Sequence, residues 1–380
     1  VKGPCFSTET LVKVKVVRRT YLRLRLGGAE GKWKKKGHAL TPIIFLLLRQ
    51  IIAMKVAITG ASGHVGVALI EELRRRGHEV RALGFNDVAF FEKNNVEYVK
   101  GHVNDRTAIE SLLEGCDALI HSAAVISING GQNGLVRKVN VDGVRNVMQT
   151  ALDLKIQRVV HISSIHAYDP LPQDQVLDES RNFVDNTAFA YDQSKRDGQL
   201  TVLEFVKMGL PALIVNPTSV TGAPENKLSL QGKAILDIYL GKIPAMFAGG
   251  YDWVDVRDVA SSICNALTMG RVGENYLLSG KYYTMKDIVG IVSEVKGSKI
   301  RVANVPVWVV KAGLPFVKLQ SWFTGKAPLY TIESIEILLH GSPMISHEKA
   351  RLELQHNPRP FKETVADLVE WFKANGYIKN

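Results

Sequence analysis

The chain has 380 residues, 46% of them hydrophobic and 22% charged, with a formal net charge of +11. That charge is uneven: residues 1–53 carry 12 of the 48 basic and 2 of the 37 acidic residues, leaving 36 against 35 in the rest. A near-neutral body gives no electrostatic case for a nucleic-acid partner, and the length allows a large core or two domains. Cys5, Cys116 and Cys264 have no metal or redox spacing, which argues against a disulfide framework and fits a reducing, cytoplasmic compartment.

Residues 1–53 alternate basic and apolar residues and do not read as part of the fold. The expectation is a disordered, non-native or mis-assigned extension ahead of Met54. An Arg-rich, acid-poor transit peptide is the alternative, and a basic nucleic-acid arm the third reading. The apolar run 43–48 stops at Arg49, too short to span a bilayer.

From Met54 the chain alternates strands and helices. Met54–Thr59 is a buried-type strand, followed by Gly60, Gly63 and Gly66 at a spacing of three and a helix closed by Gly77. Strand, glycine turn and helix are the context of a dinucleotide-binding fingerprint: the helix start offers free N–H groups and a partial positive charge to a pyrophosphate. A glycine-rich turn without a ligand is the plainer reading. Further strands are predicted at 79–83, 96–100, 117–121, 157–163 and 211–216, with helices at 105–114, 135–154 and 188–208. The pattern predicts a doubly wound parallel (Rossmann) sheet over residues 54–217, with ligands at the carboxyl ends of its strands. After Pro217 the rhythm changes. Residues 251–280 are expected to return to the core, while 218–250 and 281–380 form a smaller, discontinuous substrate lobe with helices at 285–296 and 362–375.

Polar groups fall at strand ends. Ser163-Ser164 ends the fifth strand, Asn216-Pro217-Thr218 ends the sixth, and Tyr191 and Lys195 share a helix face four residues apart. A Lys ammonium beside a phenol favours the phenolate, so Tyr191 is expected to have a lowered pKa and to exchange a proton with a substrate oxygen.

Together these residues resemble the extended short-chain dehydrogenase/reductases of the NAD-dependent epimerase/dehydratase type, and within them dihydroflavonol-4-reductase-like and hopanoid-associated sugar-epimerase-like proteins. The resemblance runs over residues 54–380. It rests on Thr59–Gly66, Asp105, His121-Ser122-Ala123-Ala124, Asn140–Gly143, Ser163–Tyr168, Tyr191 with Lys195, Val215–Thr218, Val254–Ala260 and the ending at 370–377. It implies catalysis by Ser164, Tyr191 and Lys195: Tyr191 as acid/base, Lys195 on the nicotinamide ribose, Ser164 on the substrate oxygen. It also implies cofactor contacts from Gly60, Ser62, Gly63, His64, Val65, Gly66, Asp105, Ser122, Ala123, Ala124, Tyr191, Lys195, Asn216, Pro217 and Thr218. The partner is then a small molecule, with no metal and no transmembrane segment, and a homodimer is compatible.

Three departures bear on function. Gly84 stands where an NAD enzyme carries an acid and Phe85 where these reductases carry an Arg, so neither cofactor rule is met; subgroup likeness leans to NADP over NAD. Ser164-Ile165-His166 replaces the Thr-Asp-Glu of hexose dehydratases, which argues against dehydration; His166 is a proton carrier or a structural residue. Lys227, Lys233, Lys242 and Arg271 are the cations available for a sugar diphosphate, whereas 305–310, 314–317 and 322–323 are apolar, as lobe core, a substrate lid or a membrane-touching surface. The reading is an NAD(P)-dependent reductase or dehydrogenase for a carbonyl or secondary alcohol. The alternatives are an NAD-retaining nucleotide-sugar epimerase and a non-catalytic dinucleotide sensor.

Overall fold

A computed structural model describes residues 53–85, 87–128, 130–312 and 331–378. The expectation for residues 1–53 and the apolar runs at 314–317 and 322–323 therefore lie almost wholly outside the described residues.

Alternating short apolar runs and amphipathic helices produce one seven-stranded sheet. Its strands are β1 (Lys55–Thr59), β2 (Glu79–Gly84), β3 (Glu97–Lys100), β4 (Ala118–His121), β5 (Arg158–Ile162), β6 (Ala212–Pro217) and β10 (Asn275–Leu278), in the order β3-β2-β1-β4-β5-β6-β10. Every pairing is parallel. Parallel strands buried on both faces need helices on both sides. α1 (His64–Arg76) and α7 (Val256–Ala266) cover one face, where Leu69, Leu73 and Ile263 meet Ile58, Ile120 and Val215. α3 (Arg106–Leu113), α4 (Val144–Asp153) and α5 (Ala190–Lys207) cover the other with Ile109, Leu112, Val147, Met148 and Phe205. A short α2 (Val88–Lys93) follows β2. Strand order reverses between β1 and β4, so a crevice opens at their carboxyl ends, the position at which such sheets bind ligands.

The helix expected over 135–154 is interrupted. Leu135–Arg137 runs into a π-helical turn, Lys138–Gly143, before α4 begins. The later residues build a second core. A three-stranded sheet of β7 (Ser219–Thr221), β9 (Gly250–Asp255) and β11 (Lys281–Thr284) packs with α6 (Leu230–Tyr239), α8 (Met285–Lys296) and α11 (Phe361–Ala374) around Ile235, Trp253, Ile288, Val292, Leu368 and Phe372. β8 (Ala245–Met246) pairs with β12 (Ala303–Asn304), a helical stretch follows at 307–312, and α9 (Ile332–His340) and α10 (Glu348–Leu354) lie between it and α11. Within residues 251–280 the strand β9 belongs to this second sheet, while α7 and β10 lie on the large one.

Candidate functional site

The turn after β1 is shaped by its glycines. Gly60 has φ +71°, and a Cβ there would stand 2.7 Å from the backbone nitrogen of Ala123. A Cβ on Gly66 would stand 2.3 Å from the Gly60 carbonyl oxygen, so α1 can pack this closely only with glycine. The Gly63 N–H closes the turn on Gly60 O at 3.0 Å, and no side chain caps α1. The first-turn N–H groups of His64, Val65 and Gly66 are thus left for an anion, which fits a pyrophosphate. The Ser62 hydroxyl and the His64 ring point elsewhere: Ser62 Oγ donates to Asp87 Oδ2 at 2.9 Å, and His64 Nε2 meets Gly222 O at 2.6 Å.

The loop after β4 is fastened to this turn. Ser122 N donates to Thr59 O (3.1 Å) and Ala123 N to Thr59 Oγ1 (3.2 Å), which carries the backbone through Ala124 to Val125. Asn140, buried in the π-helical turn, holds Val125 from both sides: its Oδ1 accepts from Val125 N (2.8 Å) and its Nδ2 donates to Val125 O (2.9 Å). The same Nδ2 reaches Ser194 Oγ at 3.0 Å, and Ser194 donates to Tyr191 O at 2.6 Å. One amide therefore ties the loop after β4 to the first turns of α5.

Ser164, Tyr191 and Lys195 converge at the carboxyl end of β5. Ser164 starts a 3-10 turn (Ile165–Ala167), accepts from His166 N at 3.2 Å and lies close enough to the Tyr191 phenol to favour its ionised form. The Lys195 Nζ lies 6.0 Å from the centroid of the Tyr191 ring and donates to Ile162 O at 3.4 Å. Beneath it, the buried rings of His121 and His161 stack with centroids 5.3 Å apart; burial pushes His121 down to about 3, and His161 also lies well below its ordinary value. Burial likewise brings Lys195 down to about 8. The expected lowering of Tyr191 is not found. Burial raises its phenol, and the nearby Ser164 hydroxyl offsets only part of that. The physical reason is that loss of water around the hydroxyl outweighs a cation placed under the ring.

Asn216 sits in a buried amide row. It accepts from Gln199 Nε2 at 2.7 Å and donates to Asn275 Oδ1 at 3.2 Å, fixing β6 to α5 and β10. Pro217 ends β6, and Thr218 then donates to Asp252 Oδ1 at 2.6 Å, joining the large sheet to β9. Asp105 stands apart from these groups: it is exposed and caps α3 by accepting from Ala108 N at 3.2 Å.

Two carboxylates near Tyr191 escaped the sequence reading. Asp192 accepts from His166 Nδ1 at 3.0 Å, and the His166 ring meets Tyr191 edge-on with centroids 5.6 Å apart. Glu333, on α9, accepts from Gly130 N at 2.9 Å, and burial raises its pKa. Glu333 lies 203 residues from Gly130, and only the fold brings them together. Of the four second-lobe cations, Lys227 pairs with Asp87, Lys233 with Asp237, and Arg271 with Glu274 and Glu353, while Lys242 is exposed and makes no ion pair among the described residues. Among the described residues no group of three or more His, Cys, Asp or Glu is placed for a metal, and no helix is long and apolar enough to cross a membrane.

The family model of the NAD-dependent epimerase/dehydratase family matches residues 56–279. The chain is 32% identical over 330 residues to sterol demethylase protein B of Methylococcus capsulatus, covering 86% of this chain and 100% of that protein. It is 29% identical over 335 residues to a dihydroflavonol 4-reductase-like protein of Synechocystis, covering 85% and 95%. The crystal structure of gox2253 superposes with a TM-score of 0.73 at 30% identity, covering 86% of this chain and 99% of that one. The chain belongs to the NAD-dependent epimerase/dehydratase family, with the extended short-chain dehydrogenase/reductase architecture. Its named relatives include reductases, dehydratases and epimerases.

Proposed function

We propose that this chain is an NAD(P)-dependent oxidoreductase that moves hydride between a nicotinamide and the carbonyl or secondary-alcohol carbon of an apolar substrate. The observation that carries the reading is the meeting of Ser164, Tyr191 and Lys195 at one strand end, beside an uncapped glycine turn. Gly60, Gly63 and Gly66 with the start of α1 would hold the pyrophosphate, and the Ser122–Ala124 loop and Asn216–Thr218 would flank the rest of the dinucleotide. The nicotinamide supplies or accepts the hydride. Tyr191 gives its proton to the substrate oxygen during reduction and takes it back during oxidation, and a phenol raised by burial is protonated for the first task. Ser164 shares that oxygen as a hydrogen-bond donor. Lys195 places a cation under the phenol, which favours the phenolate as the proton leaves.

The apolar character of the substrate rests on two things. Ile126 and Ile332 are exposed on the two segments joined by the Gly130–Glu333 hydrogen bond. The similar protein from Methylococcus is named for a sterol. Three of the four candidate cations, Lys227, Lys233 and Arg271, are paired with carboxylates and only Lys242 is not, which weakens the nucleotide-sugar alternative. The test is a panel of alicyclic and steroidal ketones, with NADH and NADPH absorbance followed against product. Cofactor oxidised in equal amount to ketone consumed supports the reading. Turnover of a sugar nucleotide with no net change in bound NAD supports the epimerase.

A further inference from the structure

A phenol that gives up its proton at each turnover must be given another, and the surroundings of Tyr191 offer few ways to do so. The sheet side is closed. Lys195 is buried and donates to Ile162 O, and burial keeps the stacked rings of His121 and His161 neutral. His166 stands on the other side, placed there by the 3-10 turn that Ser164 caps. Its ring meets Tyr191 edge-on with centroids 5.6 Å apart, and its side chain is 29% exposed. Of these three imidazoles it alone meets both Tyr191 and water. Asp192 fixes the ring. This carboxylate is buried in the first turn of α5 and lies 3.0 Å from His166 Nδ1. A carboxylate only accepts, so Nδ1 keeps its hydrogen and Nε2 bears the lone pair of the neutral ring. Nε2 makes no hydrogen bond among the described residues.

We propose, resting on the hydride-transfer reading above, that His166, oriented by Asp192, carries protons between solvent and Tyr191. During reduction the Tyr191 O–H bond breaks as its proton passes to the substrate oxygen, and a phenolate is left. The His166 imidazolium then releases its Nε2 proton to that phenolate through one bridging water. The neutral ring takes the next proton from bulk water at the same nitrogen. No electrons move in the relay, and each reduction draws one proton from solvent. In oxidation the same steps run backwards. Burial raises the phenol, so the phenolate is a strong base and accepts the proton readily. Asp192 holds Nδ1–H throughout, and its negative charge balances the ring while it bears the extra proton. A relay of this kind serves Tyr191 without touching the hydride, so it governs the return of the enzyme to its starting state and not the first transfer.

The test separates the first turnover from later ones. The full chain, saturated with NADH or NADPH, is mixed in dilute buffer with an excess of a ketone from the panel, and absorbance is followed through the burst and the steady state. Wild type is compared with His166→Gln, His166→Ala and Asp192→Asn, with circular dichroism to check folding. His166→Gln keeps an N–H for Asp192 but cannot carry a proton. Its burst rate is expected to match wild type, because Tyr191 starts protonated, while its steady-state rate falls about 10- to 10²-fold, at or below the usual contribution of a positioned proton donor. Asp192→Asn is expected to show the same split less deeply. Added imidazole is expected to restore the steady state of His166→Ala, which a merely structural role would not allow. An unchanged steady state in His166→Gln overturns the relay, and so does a burst slowed as much as the steady state. Absence of hydride transfer from wild type to every ketone overturns the oxidoreductase reading, and the relay with it.

Discussion

Gly198 lets α5 cross the π-helical turn so closely that a Cβ at this position would stand 2.8 Å from the Asn140 carbonyl oxygen. That contact sets where α5 lies over the sheet, and α5 carries both Tyr191 and Lys195. Asn140 meanwhile bonds the loop after β4 and Ser194. A helix that moved outward would lose this network and shift the phenol away from Ser164. Gly198→Ala is therefore expected to lower stability by about 1–3 kcal/mol, the cost of overpacking, and to reduce kcat more than it changes cofactor affinity. Thermal unfolding and steady-state kinetics on the same variant check it. An unchanged kcat would place the register of α5 elsewhere.

The glycine turn makes a complementary prediction about affinity. A methyl group on Gly66 would be driven to 2.3 Å from Gly60 O, so Gly66→Ala must push α1 away from β1. The N–H groups that face the anion move with it. Dinucleotide affinity, followed by quenching of protein fluorescence, is expected to fall by about tenfold or more, a loss of at least about 1.4 kcal/mol. Hydride transfer at saturating cofactor is expected to be changed much less.

Lys195 predicts a pH limb. Burial brings its ammonium down to about 8, against an ordinary value of 10.5. The cation is present below that pH and is lost above it. If the ammonium supports Tyr191, kcat/KM for oxidation or reduction declines as pH rises through about 8. The measurement is a pH profile from 6.5 to about 9.5, with buffers at constant ionic strength. A flat profile through this window would contradict a charged Lys195 in the reaction.

Asp252 predicts a pH effect on stability, away from the chemistry. Burial raises its carboxyl from 3.8 to about 6, although Thr218 and Gly280 donate hydrogen bonds to it. The folded state then holds the proton more tightly than the unfolded state between these two values. Stability consequently falls as pH rises from 3.8 to about 6 and contributes no further slope above that. Asp252→Asn keeps an oxygen for Thr218 and Gly280 and carries no charge to bury. It is expected to be more stable than wild type at pH 7.5 and to lose that advantage at pH 4.5. Urea midpoints at the two pH values check the sign.

Much of the first domain was legible because its elements are local. The strands at Lys55–Thr59 and Arg158–Ile162 are short apolar runs, and the helix at His64–Arg76 runs from the glycine turn to a left-handed Gly77. In the second lobe the helices at Met285–Lys296 and Phe361–Ala374 were legible from their periodicity, but its strands were not, for the opposite reason. β7, β9 and β11 have three to six residues and pair across distant stretches of chain, so no periodicity announces them. The π-helical turn left no mark either, since Val139, Val141 and Val144 fit an ordinary helix. Of the site residues named from motifs, the glycine turn, Ser122–Ala124, Ser164 and Asn216–Thr218 lie where strands end, Tyr191 and Lys195 lie on α5, and Asp105 caps α3 away from them. Those made by tertiary contact did not show themselves: Asp87 meets Lys227 across 140 residues, and Glu333 meets Gly130 across 203. The direction of the Tyr191 shift was also beyond the sequence, because it depends on how much water the folded chain leaves around one oxygen.

The most direct test of the central claim is single-turnover hydride transfer by wild type and Tyr191→Phe, both saturated with NADH, on a ketone taken from the panel. Equal dissociation constants for NADH, with a rate lowered about 10²- to 10⁴-fold in the variant, are predicted for loss of the general acid. Equal rates in the two proteins would contradict the assignment of Tyr191, and with it the chemistry proposed at the end of β5.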